Sequence, residues 1–248
     1  MLIKYRIQPH VYLCILVCVV LILLYFLQFP SPIVVRPEGG LCNRLRVIFS
    51  YHAEAKRRNT TLLVVWTQTE ECNGWFLEYF EPVPNITFVS NTDRTIEYSG
   101  YGAHPNYDET TQCIYRELRL VPTLMDKIRR KRAMLGNYCA VHIRRTDHVK
   151  LAKEMKKYTS DDEFLRFLHN TTGNIYIATD NKDTYTTYKR TFPNRILFPY
   201  SETIQEHALR VTTLEDSILD LYMCVYANQF QGSGYSSFSD LIYILRRC

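Results

Sequence analysis

Apolar positions along this chain fall into two kinds of run. The first is a single charge-free stretch, Val11 to Leu27, at about the lower length limit for a membrane-spanning helix. The second kind recurs throughout the rest. Short apolar runs of strand length are followed by polar turns and then by segments whose apolar residues repeat with helical period. Ile33-Val34-Val35 leads into the turn Glu38-Gly39-Gly40-Leu41-Cys42-Asn43-Arg44, and Leu45 to Arg58 follows with Leu45, Ile48, Phe49 and His52-Ala53 on one face. Thr61 to Trp66 is the next strand, so the first unit is a β-loop-α-β start to a parallel sheet. Gly74 to Phe88 reads as a short helix, a proline-bounded turn and a strand. Asn91 to Gln112 is polar and aperiodic, a loop, and Leu124 to Leu135 is a basic helix ended by Gly136-Asn137.

A second α/β unit begins there. Tyr138 to Ile143 is a strand, and Ser160-Asp161-Asp162-Glu163 is an N-cap with acidic first-turn residues, leading into a helix from Phe164 to Asn170. Asn174 to Thr179 is a strand, Asp183 to Arg190 a helix, and Arg195 to Phe198 a short strand. Thr213 to Ala227 is an apolar-periodic helix. Asn228 to Gln231 is a strand that runs into the small-residue loop Gly232 to Ser239, and Asp240 to Arg247 closes the chain as a helix. The pattern predicts a tail over 1–10, an anchor over 11–29, one α/β domain over 30–135 and a second over 136–248.

Charge and cysteine content place the chain in a compartment. Lys4 and Arg6 precede the apolar stretch, which puts the N-terminus in the cytoplasm and everything after about Pro30 on the luminal side. A cleaved signal peptide is the competing reading. The apolar region is long for one, and no small-residue cleavage site follows it, which favours an uncleaved type II anchor. Its short span suits the thinner membranes of the ER and Golgi. The sequons at Asn59, Asn85 and Asn170 agree with a luminal body. Of the 8 Cys, Cys14 and Cys18 lie in the anchor, while Cys42, Cys72, Cys113, Cys139, Cys224 and Cys248 form an even luminal set whose pairing is left open. The net charge is +5, of which Lys4 and Arg6 supply two, leaving about +3 for the body. That is too little to argue for nucleic acid, and no zinc-ligand spacing or Walker-type loop argues for it either.

Candidate chemistry lies at three strand ends of the second unit: His142-Ile143-Arg144-Arg145-Thr146-Asp147, Thr179-Asp180, and the loop through Ser236-Ser237. In a parallel sheet these ends share one edge. An arginine fork fits phosphate oxygens, and exposed amides at a helix start bind anions. Asp180 has the acceptor geometry for a base ring N–H and amino group, as guanine offers. The set reads as a nucleoside diphosphate site. Against that stand plainer readings: a surface ion pair between Arg145 and Asp147, and helix caps at Asp180 and Ser236.

These residues carry a family resemblance. His142 to Asp147 resembles the first motif of the fucosyltransferase superfamily that includes α1,6-fucosyltransferases, nodulation fucosyltransferases and protein O-fucosyltransferases. Tyr176-Ile177-Ala178-Thr179-Asp180 resembles the second motif. Ile218-Leu219-Asp220-Leu221 with Ser236-Ser237-Phe238 resembles the third, and Gly39 to Arg44 resembles the Gly-Gly-x-x-Asn-Arg opening of the acceptor-side domain. The resemblance implies a GT-B-like α/β fold, two small Rossmann-like domains facing a cleft, with GDP-fucose held by the second. It implies Arg144 on the β-phosphate with Arg145 as helper, His142 and Asp180 on the guanosine, Ser236 and Ser237 on phosphate, and Asn43 across the cleft. It also implies inverting transfer of fucose to a hydroxyl of a glycan or glycoprotein, with no metal: no Asp-x-Asp ends a strand, and a fixed guanidinium stabilises the leaving diphosphate. The chain departs from the pattern at the base. Ala152 stands where α1,6 enzymes keep a carboxylate, Glu154 lies two residues on, and Asp147 and Glu38 are rivals. The two domains are also short, so the acceptor does not carry over. Other readings are a transferase of another nucleotide sugar, or an inactive membrane-anchored nucleotide- or sugar-binding module.

Overall fold

The computed structural model describes residues 12, 14–20, 30–145, 149–200 and 213–248. Of the anchor expected over 11–29, residues 12 and 14–20 are described; they are helical and exposed, and the remainder lies outside the described residues. Among the described residues no helix is long and apolar enough to cross a membrane.

The body holds two parallel sheets. In the first, β1 (Ile33–Pro37) leads through α1 (Leu41–Arg57) to β2 (Leu62–Val65). A short helix α2 (Phe76–Tyr79) precedes β3 (Ile86–Val89), and β4 (Tyr98–Gly100) returns to the other side of β1. The strand order is β3-β2-β1-β4. A 3-10 helix (Gln112–Glu117) and α3 (Pro122–Leu135) lead to the second sheet, made of β5 (Tyr138–Ile143), β6 (Asn174–Thr179) and β7 (Gln229–Gly232) in the order β6-β5-β7. Between them run α4 (Val149–Glu154), α5 (Asp161–His169), α6 (Lys182–Thr191) and α7 (Leu214–Val225). Helix α8 (Ser237–Arg247) ends the chain.

The apolar runs became strands because both faces of each sheet are covered; every residue of β5 is buried. Helix α5 starts where its sequence says it should. The Ser160 hydroxyl accepts from the Glu163 amide, and the Glu163 carboxylate accepts from the Ser160 amide. Two expectations need correction. The polar loop over 91–112 contains β4, which pairs with β1 from Val35 to Pro37. Its three residues have no apolar alternation, so only the partner strand makes it a strand. Arg195 to Phe198 is not a strand: its backbone gives β6 the single bond from Ile175 N–H to Arg195 C=O, 2.8 Å, and then turns away. The sequon residues Asn59, Asn85 and Asn170 are all exposed.

One apolar core runs through both halves. It joins Val35, Leu45 and Phe49 of the first sheet layer to Tyr138, Ala140, Met223 and Ile242 of the second. A smaller core of Val141, Ile143, Phe164 and Tyr188 fills the far face of the second sheet.

Candidate active site

Each sheet has a switch point, where chain connections leave a central strand toward opposite sides, and crevices form outside the carboxyl end of that strand. In the first sheet the strand is β1, with β2 and β4 beside it; in the second it is β5, with β6 and β7 beside it. The segments following these two strands are Glu38-Gly39-Gly40 and Arg144-Arg145.

The end of β5 is laced to both neighbours. Thr179 Oγ1 donates to the Ile143 carbonyl at 2.7 Å, and the Arg145 amide donates to Asp180 Oδ1 at 3.0 Å. On the other side the Ser233 amide donates to the His142 carbonyl at 2.9 Å, and Ser233 Oγ accepts from the Arg144 amide at 2.9 Å. The backbone on both sides of Arg144 is therefore fixed. Gly234 continues the loop, donating its amide to Thr159 Oγ1 at 2.9 Å. A Cβ on Gly234 would stand 1.9 Å from the Lys157 carbonyl oxygen, so only glycine fits this close approach. Arg144, Arg145, Ser233, Gly234 and Tyr235 border an open cleft together with Ala152 and Tyr158.

Strand alternation separates the two arginines. Arg145 turns to the smaller core: its guanidinium pairs with Asp161 at 2.8 Å and lies 5.1 Å from the Tyr158 ring centroid and 5.6 Å from that of Phe164. Its carboxylate partner is Asp161, where the sequence offered Asp147; Asp147 lies outside the described residues. His142 is on the side of Arg144 but one layer down. Its Nδ1 is 2.8 Å from Ser239 Oγ, and its ring lies 4.5 Å from that of Phe238. Burial, helped by the Arg144 charge, pushes its pKa down to about 3, so the imidazole is neutral. A Cβ at Gly232 would meet Ser239 Oγ at 2.5 Å; the glycine lets α8 settle over this histidine.

The start of α8 completes the anion-binding edge. Ser236 is 2% exposed, its hydroxyl makes no cap bond, and among the described residues it has no hydrogen-bond partner. A buried hydroxyl in that state calls for an explanation. On three other helices the cap hydroxyl or amide is engaged: Ser160, Asn181 and Thr213 accept from their N3 amides. Ser236 and the half-buried Ser237 sit where helix N–H groups and the positive dipole end favour an anion.

The first half of the molecule meets α8 through its first helix, α1. Arg44 is 1% exposed and serves as a clamp. Its guanidinium donates to the Gly39 carbonyl at 2.7 Å, the Thr67 carbonyl at 2.5 Å and Thr69 Oγ1 at 2.9 Å, which fixes the loop after β1 to the end of β2. Gly39 takes φ +74°, and Asn43 packs over it. One turn along α1, the Arg46 guanidinium reaches Asp240 of α8 at 3.7 Å. Asn43 therefore shares an α1 face with a residue that touches the first turns of α8. Glu38 is exposed beside this turn and accepts from Ser99 Oγ at 2.7 Å. Glu154 is not brought to the cleft. Ala152 is, and a step of two residues turns a helix by about 200°, which leaves Glu154 on the exposed side of α4.

The sequence reading missed Tyr158, Thr159 and Asp161 as partners of this edge. They precede or open α5 and resemble any helix start, so only the packing of α5 under β5 reveals them. A larger open cavity lies along the outer edge of β6, lined by Tyr176, Tyr185, Phe198 and Asp220. There Tyr176 donates to Asp220 at 2.6 Å, and burial raises that carboxyl to about 7. It lacks the arginine and the helix-start amides found at the β5 edge. Among the described residues no three His, Cys, Asp or Glu side chains gather as a metal site would require.

No protein-family model matches the chain, and no curated protein sequence matches it. Solved structures do. NodZ α-1,6-fucosyltransferase soaked with GDP-fucose is 14% identical with a TM-score of 0.62, over 87% of this chain and 93% of that one. Fucosyltransferase NodZ from Bradyrhizobium is 13% identical with a TM-score of 0.60, over 87% and 94%. The apo form of POFUT1 is 11% identical with a TM-score of 0.63, over 88% and 95%. At these identities the likeness is one of fold. The chain has the α/β architecture of these fucosyltransferases, as its motifs led one to expect.

Proposed function

We propose that this chain is a glycosyltransferase that moves fucose from GDP-fucose to a hydroxyl of a glycan or glycoprotein with inversion. The observation that carries the reading is the convergence, at one sheet edge, of Arg144, the amides opening α8 and the buried unpartnered hydroxyl of Ser236. This is a ready site for a diphosphate. The fold shared with structures that hold GDP-fucose supports the choice of donor.

In this reading the acceptor oxygen attacks C1 of fucose, and the bond from C1 to the β-phosphate oxygen breaks. Negative charge grows on the diphosphate, and Arg144 with the α8 N-terminus stabilises it without a metal. Asp180 accepts from the Arg145 amide through Oδ1, which holds its carboxylate at the edge where it would address the guanine. His142 would support the edge from beneath. Asn43 presents the acceptor side. For the base we favour Glu38 over Glu154, since Glu38 is exposed at the first-sheet switch point while Glu154 faces away from the cleft.

Arg144→Ala is expected to weaken GDP binding at least tenfold by calorimetry and to abolish transfer; unchanged transfer would sink the assignment. Glu38→Gln is expected to keep GDP affinity and lower kcat by about 100-fold or more. Retained kcat would return the base to Asp147.

The charge-free stretch behind Lys4 and Arg6 supports a single-pass type II anchor with the body in the ER or Golgi lumen. A second reading, an inactive nucleotide-sugar-binding module, is favoured by Ala152 on the cleft wall. It predicts GDP binding without GDP release when GDP-fucose and a broad acceptor panel are supplied.

A further inference from the structure

Helix α8 starts at the diphosphate edge and ends on the other half of the molecule. Leu241 and Ile242 are buried in the shared core with Phe49 and Tyr115, and this directs the last turn of α8 onto the 3-10 helix Gln112–Glu117. The landing is built from several contacts. Arg116 Nε donates to the Cys248 carbonyl at 2.8 Å, the Arg247 guanidinium donates to Gln112 Oε1 at 3.0 Å, and Arg247 reaches Glu109 at 3.9 Å. Between these contacts, Cys248 Sγ and Cys113 Sγ lie 3.0 Å apart, although 135 positions separate them in the chain.

We propose that Cys113 and Cys248 form a disulfide that staples α8 to the 3-10 helix and so ties the two halves together behind the cleft. A covalent S–S bond is about 2.05 Å, so the sulfurs need to approach by only about 1 Å. Cys113 is exposed and Cys248 partly exposed, so a soluble disulfide can reach the pair. The remaining described body cysteines, Cys42, Cys72, Cys139 and Cys224, are buried. Cys113 is the more exposed of the two and so begins the exchange. With glutathione disulfide as oxidant, the Cys113 thiolate attacks one sulfur and releases one glutathione. The Cys248 thiolate then attacks the mixed disulfide and releases the second. Two thiols lose two electrons and two protons, and one glutathione disulfide becomes two glutathiones.

The staple is independent of the fucose reading. It anchors the far end of the helix whose first residues hold the anion edge, so it limits how far the two halves can open.

The test uses the full chain in detergent, equilibrated with glutathione disulfide, alkylated with iodoacetamide and mapped by mass spectrometry without reduction. The expected result is one cross-linked species joining the Cys113 and Cys248 peptides, two hydrogens lighter than the separate thiol peptides and released by dithiothreitol. Reduction should lower the thermal midpoint by about 5 °C or more, as for a bond closing a long loop. Cys248→Ser should show the lowered midpoint without reductant and no further response to it. Recovery of both cysteines as alkylated thiols, or of Cys113 bonded to a different cysteine, would overturn the proposal; the mapping needs no variant to fold.

Discussion

Arg144 and Arg145 follow a strand whose side chains alternate, and that alternation assigns them different work. Arg145 is held by Asp161 and two aromatic rings, while Arg144 takes the opposite face with its amide bonded to Ser233, and both border the cleft. The sequence marked the pair and the family resemblance put Arg144 on the phosphate with Arg145 as helper, but the carboxylate that holds Arg145, Asp161, comes next to it only through the packing of α5. Arg44 makes the same point. In the sequence it is one letter of a motif; in the fold it is a buried clamp with three acceptors. His142 yields a prediction at this scale. Its folded pKa, about 3, lies below the ordinary value of 6.5, so in acid the unfolded chain takes up a proton that the folded chain refuses. Its contribution is intact above pH 6.5 and is lost progressively as pH falls toward 3. At pH 5 the loss is roughly 2 kcal/mol. Denaturant titrations at pH 7.5 and pH 5 should show this fall, and His142→Gln should reduce it. Comparing the two proteins isolates the histidine from Asp220, whose raised pKa gives the opposite slope. An unreduced fall in the variant would contradict the assignment.

At the scale of elements, the loop from β7 into α8 is the part most tightly specified. Gly232 admits Ser239, and Gly234 admits the Lys157 carbonyl, each at a distance that no side chain tolerates. Gly234→Ala should therefore displace the loop and lower GDP affinity about tenfold or more while the far-UV spectrum stays that of the parent. Undiminished affinity would mean that this loop does not shape the site. The sequence showed this loop as a cluster of Gly and Ser, and it showed the α5 capping box and the strands of both sheets, because those signals are local. It did not show β4, whose pairing with β1 is a matter of neighbours, and it overstated Arg195 to Phe198, an apolar run that ends up as a connection alongside β6.

At the scale of the whole molecule, the main core crosses from one sheet to the other through α3, α7 and α8. Two sheets with separate cores would unfold in two steps. A shared core couples them, and calorimetry of the described body is expected to give one transition whose calorimetric and van't Hoff enthalpies agree. Two resolved peaks would show that the halves are independent. The Arg46–Asp240 contact and the landing of α8 on the 3-10 helix act in the same direction. Residue order alone determined the strand-helix alternation, the caps, the glycine turns and the motif residues, since each depends on neighbours a few positions away. Tertiary structure decided that Arg145 pairs with Asp161, that Ala152 rather than Glu154 lines the cleft, and that Ser236 is buried with no hydrogen-bond partner among the described residues. It also brought Cys113 and Cys248, 135 positions apart, into contact. Those outcomes depend on groups tens of residues apart meeting across a sheet edge or a helix crossing, and the pattern along the chain carries no record of such distances.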